Sequence, residues 1–416
     1  MSSAPTAPSS ASPRHRALPY IVLSVLGPIS LMIILWPFIW WLAHVLEAGQ
    51  TPAPWHSDFG MFWASGHFAV GAVPGQTYTR HLLFAWESQH VVGFRGKDPF
   101  VYPPPTLLLT RLIDVSGYWR AYLGWAVGLT GLSIAVLRIA RLPWVMIAFT
   151  LLTPAALYDI MIGQFSALSS CCFVASLLLV DAAPARSGFF SALTLLKPQM
   201  ALLAPIAILA RRRWSAIIVG IIVVSLLCLL TTLAFGLDLW RGYFSHGLAS
   251  SHNLLTLPYP RPNFPPHYRG GFEYGEISIF YSLRSFGLSF AMAMAGQMLA
   301  AILASVACWS LWRRDDVDPI TRVAMTVFLG LLVTPYGFPQ DMVAYSLGII
   351  LLVQRRGVLE VGDVLLLLWP ALLIFSSEML DRSITPLVIL WALARAYRML
   401  RQSRPIPIVL TAGQAE

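Results

Sequence analysis

One aspartate stands where a carboxylate could act as a base at a membrane surface. Asp58 lies between Trp55 and Phe59, just past the first long apolar run of the chain. A carboxylate in such a loop could take a proton from a hydroxyl group of a lipid-linked substrate. The alternative is a helix N-cap, because an amphipathic run follows and Asp is a favoured capping residue. The sequence leaves both roles open.

Four other polar side chains interrupt or border apolar stretches and are candidates to bind a substrate. Lys197 lies more than a turn inside an apolar run and precedes Pro198, so it needs a partner, which a phosphate would supply. The alternative is a lysine whose side chain reaches the membrane surface. Gln164 could contact a substrate or form a hydrogen bond between helices. Tyr102 and Asp341 could line the same site, or only begin and cap helices.

The loop at about 238–275 carries cationic and histidine side chains that could bind the phosphate or pyrophosphate of a polyprenyl lipid. The candidates are Arg261, His267 and Arg269. A solvated loop without a specific ligand is the alternative.

The composition determines what kind of chain must position these groups. Of the 416 residues, 57% are hydrophobic and 11% are charged, whereas soluble proteins carry about 25% charged residues. Repeated apolar runs near the length of a membrane span predict an all-α integral membrane protein. The net charge of +9 does not indicate nucleic-acid binding, because the basic residues gather at the ends of apolar runs, as the positive-inside rule describes.

The chain divides into a disordered cytoplasmic tail (1–17), one transmembrane domain (18–402) and a second cytoplasmic tail (403–416). About twelve spans (10–13) are predicted, with both termini cytoplasmic. The loops 47–102 and 238–275 then face outside, and two short interfacial helices are expected in the first. A signal peptide is the alternative for the first apolar run. The predicted spans are 18–46, 103–115, 119–140, 143–160, 165–182, 188–210, 214–236, 276–312, 319–335, 341–354, 361–377 and 384–401.

Several functional classes lack their sequence signatures. The four cysteines lie inside apolar runs without metal-ligand spacing, which predicts buried thiols. The Walker lysine loop, the Rossmann glycine pattern and the serine-hydrolase elbow are absent, which argues against an ATP-driven pump and a serine hydrolase.

An ordered set of short motifs resembles glycosyltransferase family 87, bacterial integral-membrane enzymes of the GT-C fold that include mannosyltransferases. The similarity covers roughly residues 50–355 and depends on the order and spacing of the whole set. Its members are Asp58-Phe59 with Trp63-Ala64, Gly75 to Tyr78, Phe100 to Pro104, Gly163-Gln164, Leu196 to Gln199, Ile279-Phe280 to Arg284, and Pro335-Tyr336 to Asp341.

The resemblance implies an activity, a location and a catalytic residue. It implies a GT-C bundle in the bacterial cytoplasmic membrane that takes a hexose, with mannose favoured, from a polyprenyl-phosphate sugar. The sugar passes with inversion to a lipid or glycan acceptor on the outer side, with Asp58 as the base. Because Ser57 stands where related enzymes often carry a second acid, we expect no metal ion and no other cofactor.

Three other functions compete with this interpretation. A lipid-linked sugar flippase would place polar groups at mid-bilayer, whereas here they gather in outer loops. A glycan ligase or polymerase that uses a lipid pyrophosphate would share the topology and differ in the leaving group. A structural membrane protein would leave the cost of Lys197 unexplained.

Overall fold

The computed structural model describes residues 58–90, 99–113, 117–256, 276–380 and 382–402. Within these ranges the chain is helical and contains no strand, which confirms the all-α prediction. The helices are α1 (Phe59–Ala69), α2 (Arg80–His90), α3 (Leu107–Thr110), α4 (Tyr118–Ile139), α5 (Trp144–Leu151), α6 (Pro154–Ile162), α7 (Ser166–Leu179), α8 (Pro184–Leu193), α9 (Leu203–Ala210), α10 (Trp214–Gly242), α11 (Leu248–Thr256), α12 (Ile279–Ser285), α13 (Phe290–Trp312), α14 (Pro319–Val333), α15 (Val343–Arg356), α16 (Val361–Leu380) and α17 (Thr385–Gln402).

Three of the described helical stretches are long and apolar enough to cross a membrane. They are α4, α13 and the stretch Trp214–Thr256, which joins α10 to α11. The pair α5 and α6, bent by 60°, would make a fourth. Shorter apolar helices include α7 and α14. The structure therefore supports a helical membrane protein, and a bundle of about twelve spans is not confirmed; the predicted span 18–46 lies outside the described residues.

The long helices present apolar side chains outward, as a lipid-facing surface requires. In α10, Ile221 is 63% exposed and Leu233 is 74% exposed, while few residues of the helix are buried. Helix α13 has the same character, with Ile302 and Leu303 exposed. Such contiguous apolar surface is unfavourable in water and favourable against lipid chains.

Helices α7, α14 and α15 form the interior of the bundle. Nearly every residue of each is buried, so their apolar sequences face protein on all sides. Helices α7 and α14 run in opposite directions. Ser166 at the start of α7 contacts Asp341 beyond the end of α14, whereas Asp181 beyond the end of α7 contacts Arg322 near the start of α14.

Besides 143–160 and 276–312, each of which contains two separate helices, two predicted spans, 103–115 and 188–210, are not continuous helices. The first begins with a 3₁₀ turn at Pro104–Thr106, followed by α3 and a second 3₁₀ turn, Arg111–Ile113. The second is interrupted between α8 and α9, where Lys197 has φ −140° and ψ 71°. The residue before a proline is displaced from the helical region, so Pro198 explains this interruption. Hydropathy therefore predicted a single membrane-spanning helix in two segments that consist of shorter helical pieces.

The two helices expected in the first outer loop are present as α1 and α2. Helix α1 is not interfacial in character, because nine of its eleven residues are buried. Gly66 allows close packing, because a Cβ at this position would meet the backbone of Thr110 at 2.4 Å. The helix therefore lies inside the protein and places Asp58, at its N-terminus, near the interior.

Candidate functional site

Asp58 occupies the N-cap position of α1 without acting as a cap. Its backbone has helical angles and its side chain makes no capping hydrogen bond. The half-buried carboxylate instead accepts a hydrogen bond through Oδ2 from Nε2 of Gln164, at 2.6 Å. Asp58 is thus at the N-cap position, as predicted, but its side chain does not make the capping hydrogen bond. The carboxylate is directed toward a buried group of polar side chains instead.

Gln164 reaches Asp58 because of how α6 ends. Gly163 adopts the left-handed conformation, with φ +74°. The N–H of Gly163 donates to the carbonyl of Ile160, and that of Gln164 donates to the carbonyl of Asp159, which together form a Schellman motif. The indole N–H of Trp125 also donates to the carbonyl of Gly163 at 2.8 Å. This turn fixes the backbone from which the Gln164 side chain extends.

Gly163→Ala should destabilise the protein, because alanine disfavours positive φ and has no space here. A Cβ at this position would lie 2.4 Å from Cβ of Phe59. The backbone conformation alone costs about 1–2 kcal/mol, and the clash adds to it. We expect a lower unfolding midpoint and lower activity. Gly128→Ala is the matched control, because a Cβ there meets nothing within 4 Å; an equal loss in both variants would contradict the prediction.

The Gln164 amide can point only one way. Its Oε1 accepts from the hydroxyl of Tyr102 at 3.0 Å and, at the longer distance of 3.5 Å, from Nζ of Lys197. Turning the amide over would place an oxygen 2.6 Å from the carboxylate of Asp58 and an N–H group against an ammonium. The donors on one side therefore oblige Gln164 to donate to Asp58 on the other.

Lys197 forms a buried ion pair with Asp341. The two side chains are each 2% exposed, and Nζ lies 2.6 Å from Oδ1 of Asp341. The hydroxyl of Ser166 accepts from Nζ at 2.5 Å and donates to the same Oδ1 at 2.8 Å, while Oδ2 of Asp341 accepts from the N–H of Phe338. The lysine does not reach the membrane surface, and its partner is a carboxylate. A contact with the donor phosphate stays a prediction.

Aromatic rings exclude water from this network. The ring of Phe62 lies 5.1–5.6 Å, between centroids, from those of Tyr102, Trp125 and Phe165. Nζ of Lys197 lies 6.0 Å from the ring centroid of Tyr102 and 5.8 Å from that of Phe165. Their faces favour the cation, and the low polarity strengthens each ionic hydrogen bond.

The loop that precedes Tyr102 holds this residue in place. The hydroxyl of Tyr78 donates to the Tyr102 carbonyl at 3.0 Å. The same loop is attached to α10, because Oδ2 of Asp238 accepts from the N–H of Gly75 at 2.9 Å. A Cβ at Gly75 would lie 2.7 Å from that oxygen, so only glycine allows the approach. The motif Gly75 to Tyr78 thus positions a residue that orients Gln164.

Two further polar residues, Asp159 and Ser166, lie beside this network and were not among the predicted site residues. Asp159 is buried and accepts from the N–H groups of Ser166 and Ala167 at 2.9 and 3.0 Å, so it caps the N-terminus of α7. Asp159 could have been identified from the sequence, because an acidic residue inside an apolar stretch often marks a functional site. Ser166 carried no such signal, because serines are common inside membrane helices.

The predicted site residues thus divide into two groups. Asp58, Tyr102, Gln164, Lys197 and Asp341, together with Ser166, form one connected network, which we call the Asp58 cluster. Arg261, His267 and Arg269 lie outside the described residues, so their role stays a prediction.

Comparison with known proteins gives a family match. The model of glycosyltransferase family 87 matches residues 100–335, more than half of the chain. This range includes Tyr102, Gln164 and Lys197, whereas Asp58 and Asp341 lie outside it. No curated protein and no solved structure matches the chain.

Proposed function

Because the chain belongs to glycosyltransferase family 87, we propose that it moves a hexose, with mannose favoured, from a polyprenyl-phosphate sugar to a hydroxyl group of a lipid or glycan acceptor. The observation that carries the proposed mechanism is the contact between Asp58 and Gln164. A half-buried carboxylate is held there at 2.6 Å by an amide whose orientation is fixed.

The proposed reaction is a single displacement. The acceptor oxygen attacks the anomeric carbon, the bond from that carbon to the phosphate oxygen breaks, and polyprenyl phosphate leaves with the bonding electrons. Asp58 takes the hydroxyl proton as the new bond forms. One displacement inverts the anomeric configuration, and one carboxylate suffices as the base. No step is assigned to a metal ion.

The other members of the Asp58 cluster act through Gln164 in this proposal. Tyr102 and Lys197 donate hydrogen bonds to the side-chain carbonyl oxygen of Gln164. The ion pair between Lys197 and Asp341 fixes the ammonium near that oxygen. Pre-positioning of this kind lowers the cost of arranging the base when the acceptor binds. Arg261, His267 and Arg269 are the proposed ligands of the donor phosphate.

We also propose that the reaction occurs on the outer side of the bacterial cytoplasmic membrane. Arg211, Arg213 and Arg322 lie at the end of α7 and α14 opposite the Asp58 cluster. Helix α7 alone has 14 residues, which separates the two ends by about 21 Å. The positive-inside rule assigns the arginine-rich end to the cytoplasm.

The proposal can be tested with the purified full-length protein and three labelled donors. We expect sugar to pass from polyprenyl-phosphate mannose to a membrane lipid or glycan acceptor. Transfer only from a polyprenyl-pyrophosphate sugar would instead indicate a ligase or polymerase. Transfer only from a nucleotide sugar would contradict the donor class. Movement of the intact donor across vesicles, without a new glycosidic bond, would indicate a flippase.

Gln164→Leu should move the acid limb of the pH–rate profile to higher pH. The Nε2 donor favours the ionised form of the carboxylate, so without it a higher pH is needed to form the base. A hydrogen bond to a charged group contributes about 1.5–3 kcal/mol, so we expect a shift of at least about one pH unit. The measurement is kcat/KM across pH.

Gln89→Leu is the control for this shift, because Gln89 is exposed on α2. A merely structural role for Gln164 would lower the rate at every pH by the same factor. That result would contradict the positioning role without affecting the assignment of Asp58.

A further inference from the structure

A second charged cluster lies at the opposite end of α7, and the proposed reaction does not use it. Asp181 accepts hydrogen bonds from Arg211 and Arg213 through Oδ1, at 3.0 and 2.8 Å, and from Arg322 through Oδ2 at 3.2 Å. Partial burial acts to raise the pKa of Asp181, but the hydrogen bonds and charges of Arg211 and Arg213 outweigh it and hold that pKa below its ordinary value. We call these four residues the arginine cluster.

The arginine cluster contains more positive than negative charge. Besides Asp181, the second acid paired with it is Asp315, whose side chain is 86% exposed and lies 2.5 Å from Arg211. An exposed carboxylate compensates a cation only weakly. Asp316 and Asp318 also act on Arg322, but each is paired with an arginine outside the cluster, Arg314 and Arg355. Three guanidinium groups thus share one partly buried carboxylate and one solvated carboxylate.

Arg322 is the most buried of the three cations. Its side chain is 3% exposed and packs 5.2 Å from the ring of Trp312. Its terminal nitrogens reach Asp181 and the carbonyls of Arg314 and Val317, but its Nε has no hydrogen-bond partner among the described residues. A buried cation that is incompletely paired is costly, and a nearby anion would reduce that cost.

A cavity of about 310 Å³ opens beside these charges. Asp181 and Arg322 are its charged lining residues, and the remaining lining is apolar: Leu177, Leu178, Ala182, Trp312, Pro319 and Ile320. Arg213 does not line the cavity itself, but it donates to Asp181, which does, and 38% of its side chain is exposed. Cationic donors thus stand next to an apolar cavity, a combination that suits an amphiphilic anion.

We propose that the arginine cluster and this cavity bind an anionic phospholipid. The headgroup phosphate accepts from Arg213 and Arg211 at the edge, and part of an acyl chain fills the cavity between the end of α7 and the start of α14. The apolar lining favours a lipid over a free phosphate ion, and the excess positive charge favours an anionic over a zwitterionic headgroup. This inference does not depend on the donor or acceptor of the reaction.

The test uses the full-length protein in neutral detergent, titrated with phosphatidylglycerol, phosphatidylcholine or inorganic phosphate. Binding is followed by native mass spectrometry and by the unfolding midpoint. Phosphatidylglycerol should bind about tenfold more tightly than phosphatidylcholine, and inorganic phosphate should leave the midpoint unchanged. Arg213→Gln should weaken phosphatidylglycerol binding about fivefold, since one basic residue contributes about a factor of five at a membrane surface.

Two further variants separate the site from general surface charge. Ala182→Phe fills the cavity without removing a charge and should also weaken phosphatidylglycerol binding. Arg186→Gln removes an exposed arginine on α8, a short distance after Asp181 in the sequence, and should not change phosphatidylglycerol binding. Equal binding of the two lipids, equal protection by inorganic phosphate, or equal losses in Arg186→Gln and Arg213→Gln would overturn the proposal.

Discussion

Asp58→Asn should reduce sugar transfer by about 10²–10⁴-fold, which is the usual contribution of a general base. Asparagine has the same shape and can still accept from Nε2 of Gln164, so the protein should insert and unfold as the wild type does. What it lacks is the ability to take a proton from the acceptor hydroxyl. The measurement is the initial rate of label transfer at equal amounts of inserted protein.

Asp316→Asn is the matched control for this loss. Asp316 is exposed beyond the end of α13, where it pairs with Arg314, and it is remote from the Asp58 cluster. It should retain the wild-type rate. A fully active Asp58→Asn protein would show that the carboxylate is not the base, and an equal loss in both variants would point to a defect unrelated to the site.

Lys197→Met should destabilise the protein by about 3–5 kcal/mol, the cost of leaving one buried charge without its partner. The methionine fits the volume of the lysine side chain but leaves Asp341, also 2% exposed, with only neutral donors. The readout is unfolding in mixed micelles of increasing denaturing-detergent fraction. Arg314→Met, which breaks the exposed pair with Asp316, should leave the stability close to that of the wild type, because exposed ion pairs contribute little.

A double variant tests the cause of that loss. Lys197→Met combined with Asp341→Asn removes both charges, so it should be more stable than Lys197→Met alone. The recovery should be incomplete, because one amide oxygen cannot accept from both Ser166 and Phe338 as the two carboxylate oxygens do. A double variant less stable than either single variant would contradict the account of the ion pair.

The chemical groups of the site are easier to predict from the sequence than the partners of those groups. Lys197 was recognised because a cation in an apolar run needs compensation, and that expectation holds. Its partner, Asp341, is far along the chain, and so are Gln164 and Asp58 from each other. Spacing carries no information on such contacts, so a phosphate was as reasonable a partner for Lys197 as a carboxylate.

The span predictions are wrong where a segment is apolar enough to span a membrane but its helix is interrupted. The run 188–210 is apolar enough for a span, yet Pro198 interrupts it and leaves Lys197 in a non-helical conformation inside the bundle. The same break places the ammonium beside Gln164. The break at Pro198 that makes the span prediction wrong therefore also positions part of the site.

The amphipathic interpretation of residues 59–70 failed for a different reason. Hydrophobic periodicity describes one apolar face, but α1 is enclosed by protein on nearly all sides. The small residues of α1, such as Gly60 and Gly66, were the available signal for close packing. Burial of α1 is what brings Asp58 within reach of Gln164.

The most direct test of the central claim is the anomeric configuration of the product formed by the wild-type protein. The labelled product can be compared by NMR with a donor of known configuration. A single displacement with Asp58 as the base predicts a product of inverted configuration. Retention of the donor configuration would require a second displacement and another carboxylate or nucleophile, and would contradict the mechanism proposed for the Asp58 cluster.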